Sequence, residues 1–149
     1  MSVPEHPKWR RDGFVISADP AATDLDLVIG FLRGTYWVRD LTVDELKLSF
    51  ERAAVYNLLE EASSRQVGFA RVLTDGVRFA WLSDVFVLEG FRGRGLGRWL
   101  VRTAMEDPRH AEARRWLLAT QDAHALYRSC GWQDAPPGRY MIFTREDKG

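Results

Sequence analysis

Leu25, Val28, Ile29 and Leu32 fall at i, i+3, i+4 and i+7, which places four apolar side chains on one face of a helix. Gly34 stands where that pattern stops, a usual place for a helix to end. Thr42 and Glu45 have capping-box spacing and predict a second short helix running toward Phe50. Ala123, Leu126, Tyr127 and Cys130 repeat the helical spacing late in the chain, with Gly131 at the expected C-cap. Between these lie runs rich in β-branched and aromatic residues, which predict strands. They are Phe14 to Ser17, Val55 to Leu59, Gln66 to Leu73, Phe79 to Leu82 continuing through Asp84 to Leu88, Trp116 to Ala119, and Tyr140 to Thr144. Glu61 to Ser64 supplies one turn and Asp75-Gly76 a hairpin turn. A further helix from about Leu96 to Met105 must stop before Pro108.

Helix and strand signals that alternate in this way predict an α/β (α+β) fold, a mixed central sheet of six or seven strands flanked by about four helices. With 149 residues the chain fits a single domain spanning residues 1–149. The 46% of hydrophobic and 28% of charged residues are ordinary for a folded globular protein. Twenty-one basic and twenty-one acidic residues cancel, so the broad positive field of a nucleic-acid coat is absent. Cys130 is the one cysteine, which rules out an intrachain disulfide and points to a reducing compartment. Residues 1–11 lack the apolar core of a secretory signal, and no apolar run approaches the roughly 20 residues that span a bilayer. A cytoplasmic protein with no membrane partner is expected.

The segment that changes this picture is Val85-Phe86-Val87-Leu88-Glu89-Gly90-Phe91-Arg92-Gly93-Arg94-Gly95-Leu96-Gly97. An apolar strand runs into a tight turn, and the turn's glycines open a helix. Such a turn aims several unpaired backbone N–H groups at one point, with the positive end of the helix dipole behind them. A phosphate or pyrophosphate suits that point, and glycine allows the backbone dihedrals the turn requires. A Walker P-loop would need Lys-Ser/Thr after the last glycine, whereas Gly97 is followed by Arg98-Trp99. A dinucleotide fingerprint needs G-x-G-x-x-G within an unbroken unit. Here the spacing is Gly93-x-Gly95-x-Gly97, and Pro108 interrupts the unit, even though Glu112 lies near the ribose-acid distance.

Arg92, Gly95 and Gly97 instead form Arg-x-x-Gly-x-Gly after an apolar strand, which resembles the acetyl-CoA motif of the GNAT acetyltransferases. Asp122-Ala123-His124-Ala125-Leu126-Tyr127-Arg128-Ser129-Cys130-Gly131-Trp132 is similar to the family stretch that carries a Tyr and then Gly-aromatic. Asp122 departs from the Asn that many relatives carry there. The resemblance, to small bacterial-type members, implies an enzyme that moves the acetyl group of acetyl-CoA to a primary amine by direct attack in a ternary complex. It implies that backbone groups of Val85 and Val87 pair with the pantetheine arm, with Phe86 between them among the cofactor-binding residues. Amides from Arg92 through Gly93, Arg94, Gly95, Leu96 and Gly97 would then hold the pyrophosphate. Asp122, Tyr127 and Arg128 complete the expected cofactor contacts.

Arg94, Arg98 and Arg102 recur every four residues and line one helix face. One of them, or Arg128, is a candidate for the cofactor's 3′-phosphate, because a guanidinium can donate two parallel bonds. A solvated basic face is the alternative. For the chemistry, an ammonium that titrates near about 10.4 must lose a proton, and the departing thiolate must gain one. The resemblance makes Tyr127 the candidate acid. Asp84 is the candidate base, directly or through water, since a charge amid apolar strand residues usually has a partner or a task. His124, one turn from Tyr127, has suitable chemistry too. Cys130 is read as a small buried hydrophobe rather than an acyl carrier. Arg33, Tyr36 and Trp37, between the first two helices, are candidates for the acceptor pocket, and no metal is expected. A non-catalytic acyl-CoA-binding regulatory module on the same fold is the competing reading. Dimers are common among similar proteins, so a homodimer is expected by analogy alone.

Overall fold

Strand pairing in chain order builds the sheet. The computed structural model describes residues 3–145 apart from 36, 37 and 39. β1 (Lys8–Arg11) and β2 (Phe14–Ser17) turn on Asp12 and Gly13, both at positive φ. α1 (Leu25–Arg33) and α2 (Val43–Glu51) follow, then β3 (Ala54–Glu60), β4 (Gln66–Thr74) and β5 (Phe79–Val87). α3 (Leu96–Glu106), β6 (Arg115–Leu117) and α4 (His124–Ser129) complete the elements. The sheet order is β1-β2-β3-β4-β5-β6, antiparallel throughout except that β6 runs parallel to β5. That change of sense follows from the chain crossing over through α3, since a parallel neighbour cannot be reached by a tight hairpin.

The helices form where caps and apolar faces coincide. Asp24 caps α1 by accepting from the Leu27 amide, and Thr42 with Glu45 closes both halves of the capping box on α2. Side chains alternate across the strands, so the sheet is buried on both faces. Val55, Phe69 and Phe86 pack against Val28, Leu32, Leu46 and Phe50 of α1 and α2. Tyr56, Leu58, Val72 and Leu82 meet Leu100, Val101 and Ala104 of α3 on the other face. No helix among the described residues is long and apolar enough to cross a membrane.

Two expectations need correction. β1 has Trp9 as its one large apolar residue, so no pattern announced it; register with β2, Trp9 opposite Ile16, holds it in the sheet. The strand expected over Tyr140 to Thr144 does not form, and the sheet has six strands. Residues 140–145 carry no strand pairing, and Met141, Ile142 and Phe143 are 98%, 91% and 81% exposed.

Gly68 of β4 lies opposite Val87, where sheet and site meet. A Cβ built there would stand 2.8 Å from the Phe86 carbonyl oxygen and 2.9 Å from Leu58 Cδ2. Backbone cannot yield as a side chain does. Gly68→Ala is therefore expected to destabilise the fold by about 1–3 kcal/mol, read as a lower Tm in thermal melts. An unchanged Tm would show that β5 shifts freely.

Candidate active site

A bulge in β5 shapes the centre of the site. Phe69 pairs with Phe86 and Arg71 with Ser83, so Asp84 and Val85 together oppose Ala70. Asp84 takes φ +56°, uncommon for a residue other than glycine, and its side chain is buried. Arg71 Nε donates to Asp84 Oδ2 at 2.8 Å, a charge-assisted hydrogen bond that fixes the carboxylate. β6 pairs with β5 only at Phe79, Ala80 and Trp81. Beyond Trp81 the two strands part, and the gap between them opens as two grooves of about 350 and 610 Å³. Both grooves are lined by Val85, Asp122, Ala123 and Tyr127, so they meet there.

The larger groove runs along the end of β5 to the glycine turn. Leu88 N donates to Val67 O at 2.8 Å. Because an antiparallel ladder alternates its bonding edge residue by residue, Val87 turns its own amide and carbonyl the other way, toward the groove. After a 3-10 turn at Glu89–Phe91, Gly93 (φ +80°) and Gly95 (φ +76°) adopt the left-handed conformation. Nothing crowds a Cβ at either position, so dihedral angle and not space requires glycine there. The first helical bond of α3 is Trp99 N to Gly95 O at 3.0 Å, which leaves the amides of Leu96, Gly97 and Arg98 without intrahelical partners. These amides, at the positive end of α3, fit a diphosphate.

The Arg92 amide donates to Glu89 O at 3.2 Å and its Nε to Val87 O at 2.9 Å, so Arg92 clamps the turn onto β5. The other arginines are also placed by the structure. Arg98 and Arg102 each donate to Ser129 O at 3.1 Å, tying α3 to the last turn of α4. Arg128 forms a bidentate pair with Asp134 at 3.0 and 2.7 Å, which raises its pKa through those hydrogen bonds. Arg94 lies over the Phe91 ring at 5.5 Å and, alone of the four, makes no hydrogen bond to protein among the described residues.

Tyr127 is half-buried, packs edge-on to Trp132 at 6.0 Å, and lines both grooves. Asp122 is exposed at the junction of the grooves. His124 is also exposed and lines a third groove with Arg128, one that shares Tyr127 with the other two. Cys130 is buried against α3, as its apolar reading requires. Arg33 is exposed in the last turn of α1 and lines neither groove. Tyr36 and Trp37 lie outside the described residues.

Sequence reasoning missed two contributors. Arg71, a charge in the middle of an apolar strand, was itself the signal that a buried anion lies opposite. Phe31 extends the apolar stripe of α1 at i+3 from Val28, and it stacks on Phe86 at 4.0 Å beside the larger groove.

The comparisons with known proteins agree with this geometry. The acetyltransferase (GNAT) family profile matches residues 29–132. A Gibberella zeae protein assigned to the acetyltransferases by name is 28% identical over 90% of this chain and 87% of its own length. A crystal structure from Xanthomonas campestris pv. campestris, likewise assigned by name to the GNAT acetyltransferases, superposes with a TM-score of 0.83. It is 32% identical and the match covers 91% of this chain and 96% of that one. Glucosamine-6-phosphate N-acetyltransferase of Arabidopsis thaliana shares the fold, with a TM-score of 0.63 at 20% identity over 89% of this chain and 100% of that one. The open edge of β5, the left-handed glycines and the family match coincide on the same residues, and the chain belongs to the GNAT family of acetyltransferases.

Proposed function

We propose that the chain transfers the acetyl group of acetyl-CoA to a primary amine, by direct attack while both are bound. The observation that carries this reading is the meeting of the two grooves at Val85, Asp122, Ala123 and Tyr127, with an anion cradle at one end and the buried Asp84 beyond. Acetyl-CoA, when bound, supplies a thioester carbonyl and a thiol leaving group. Amides from Gly93 to Arg98 hold the pyrophosphate, and Arg94 supplies a guanidinium for the 3′-phosphate. The groove-facing backbone edge at Val85 and Val87 accepts the pantetheine arm as a strand would, with Phe86 lining the groove between them. Val87 O accepts from Arg92 Nε, which fixes this peptide in place, and the groove-facing Val87 amide is the donor toward the acetyl oxygen.

The smaller groove favours a cationic acceptor. Ser83, Asp84, Thr120, Gln121 and Asp122 line it, and none of its lining residues is basic. Asp84, held by Arg71, takes the ammonium's proton directly or through water, and Tyr127 returns one to the departing thiolate.

Calorimetric titration with CoA, followed by a thiol-release assay over an amine panel, tests the reading. CoA is expected to bind, and acetyl-CoA to release thiol only when an amine is present. Gly95→Ala places a Cβ on a left-handed residue at a cost of about 1–2 kcal/mol; a turn that relaxes to escape that strain must be restored on binding, so its Kd for CoA is expected to rise by up to about tenfold. No heat with CoA would end the assignment. Heat without thiol release would make the chain an acyl-CoA-binding regulatory module.

A further inference from the structure

The sheet carries an apolar row that neither core absorbs. On β4, Phe69, Arg71 and Leu73 alternate onto the face that α1 and α2 cover over Phe69. Register sets Leu73 opposite Trp81 of β5, and Trp81 opposite Leu117 of β6, so the three side chains lie side by side on that face. None of the three belongs to either apolar core among the described residues. Leu73 is 45% exposed, and Trp81 and Leu117 are half-buried. Single exposed apolar residues are ordinary, but a contiguous row that opens on a groove marks a surface for an apolar ligand.

The row is continuous with the smaller groove. Trp81 lines that groove together with Ser83 and Asp84, and the groove begins where Trp81 and Leu117 make the last pair between β5 and β6. Ser83 lies opposite Arg71, one row nearer the buried Asp84. Two residues along a strand advance about 7 Å, the length of a short alkyl linker and half a ring. An amine held at Asp84 thus brings whatever its linker carries over Leu73, Trp81 and Leu117.

The charges around the row choose among amines. No lining residue of the groove is basic, and Arg71 already donates to Asp84 at 2.8 Å and to Ser83 at 3.4 Å. A carboxylate or phosphate on the acceptor would find its only nearby guanidinium, among the described residues, engaged. One row further out, Phe79 is 39% exposed and lies opposite Arg115. A second ammonium would therefore meet a guanidinium where it needs a carboxylate. We propose that the acceptor is a primary amine carrying an aromatic body on a short alkyl linker, its nitrogen at Asp84 and its ring on the row of Leu73, Trp81 and Leu117. A rigid ring covers that row at small cost in rotamer freedom, and Trp81 offers it an indole. The inference rests on the acyl-transfer reading for the nitrogen end of the ligand.

The ratio of kcat/KM for phenethylamine to that for n-propylamine, at saturating acetyl-CoA, tests it, since the two share the nitrogen and differ in the ring. The wild-type chain is expected to favour phenethylamine by about tenfold, the worth of covering half a ring. Putrescine and glucosamine are expected to do no better than n-propylamine. In Leu73→Ser and in Trp81→Ala the ratio is expected to fall toward one. Because both rates come from one preparation, a partly misfolded variant lowers them together and leaves the ratio readable. A wild-type ratio near one, a better rate with putrescine or glucosamine, or a preference that survives both substitutions overturns the inference. Calorimetry of the same two amines against the chain saturated with CoA reads the preference without turnover. Preferential binding of phenethylamine with no thiol release would keep the row and remove acyl transfer. Thiol release with both amines alike would keep acyl transfer and remove the row, and binding of neither amine would remove both.

Discussion

Tyr127→Phe is expected to lower kcat for thiol release by about 10²–10⁴-fold, the usual worth of a positioned proton donor. The substitution removes one oxygen and keeps the ring, whose packing on Trp132 at 6.0 Å needs no hydroxyl. KM for acetyl-CoA should therefore move little, because the glycine turn and the edge of β5 are untouched. Steady-state rates with a saturating amine separate the possibilities. A fall confined to kcat assigns the hydroxyl to the transition state; a raised KM with kcat intact makes Tyr127 only a wall of the groove. An unaltered kcat would remove Tyr127 from the chemistry and leave proton return to solvent.

Sequence and structure agree where a local rule decides the outcome. The capping box at Thr42 and Glu45, the Asp75-Gly76 hairpin and the glycines before α3 each act within four residues, so neighbours in sequence are enough to predict them. The bulge at Asp84 is different. Nothing local marks an aspartate at φ +56°; the extra residue becomes visible only when β5 is set against β4, and Arg71 reaches Asp84 through that register. β1 was hidden for a related reason, since an edge strand of mostly charged residues is held by its partner and not by its own pattern. The tail at Tyr140 to Thr144 shows the reverse case: its pattern reads as strand, but a pattern cannot supply the neighbour that pairing needs, and residues 140–145 carry no strand pairing.

The same distance hid the network behind the sheet. Tyr56, Asp107 and His110 are fully or almost fully buried, from elements about fifty residues apart. Tyr56 donates its hydroxyl proton to Asp107 Oδ2 at 2.6 Å, and Arg109 grips the same carboxylate at 2.7 to 3.2 Å. His110 Nε2 lies 2.9 Å from the Tyr56 oxygen and 3.1 Å from Ala104 O, so it carries the proton that both can accept. Every buried polar side-chain atom among the described residues has a partner, which makes the removal of one member costly.

Asp107→Ala would remove the buried acceptor of the Tyr56 hydroxyl proton and the anionic partner of the half-buried Arg109 guanidinium, and is expected to cost about 3–5 kcal/mol. For a chain of this size that lowers Tm by about 6–20 °C. The loss should also depend on pH. Burial opposes ionisation of Asp107, yet the hydrogen bonds from Arg109 and Tyr56 outweigh it and hold its pKa below the usual value. Stability from this carboxylate is therefore present above the unfolded value of about 3.9 and fades as pH falls through the lower folded one. His110 acts earlier: burial lowers its pKa, so stability begins to fall as pH drops below about 6.5, where the unfolded chain takes up the proton first. Wild-type melts should thus weaken in two stages on acidification, and the gap between wild type and Asp107→Ala should hold near neutrality and close below about pH 4. A gap that stays constant into strong acid would mean that the stabilising group is not the ionised carboxylate, because only a group that loses its charge in that range can lose its contribution there.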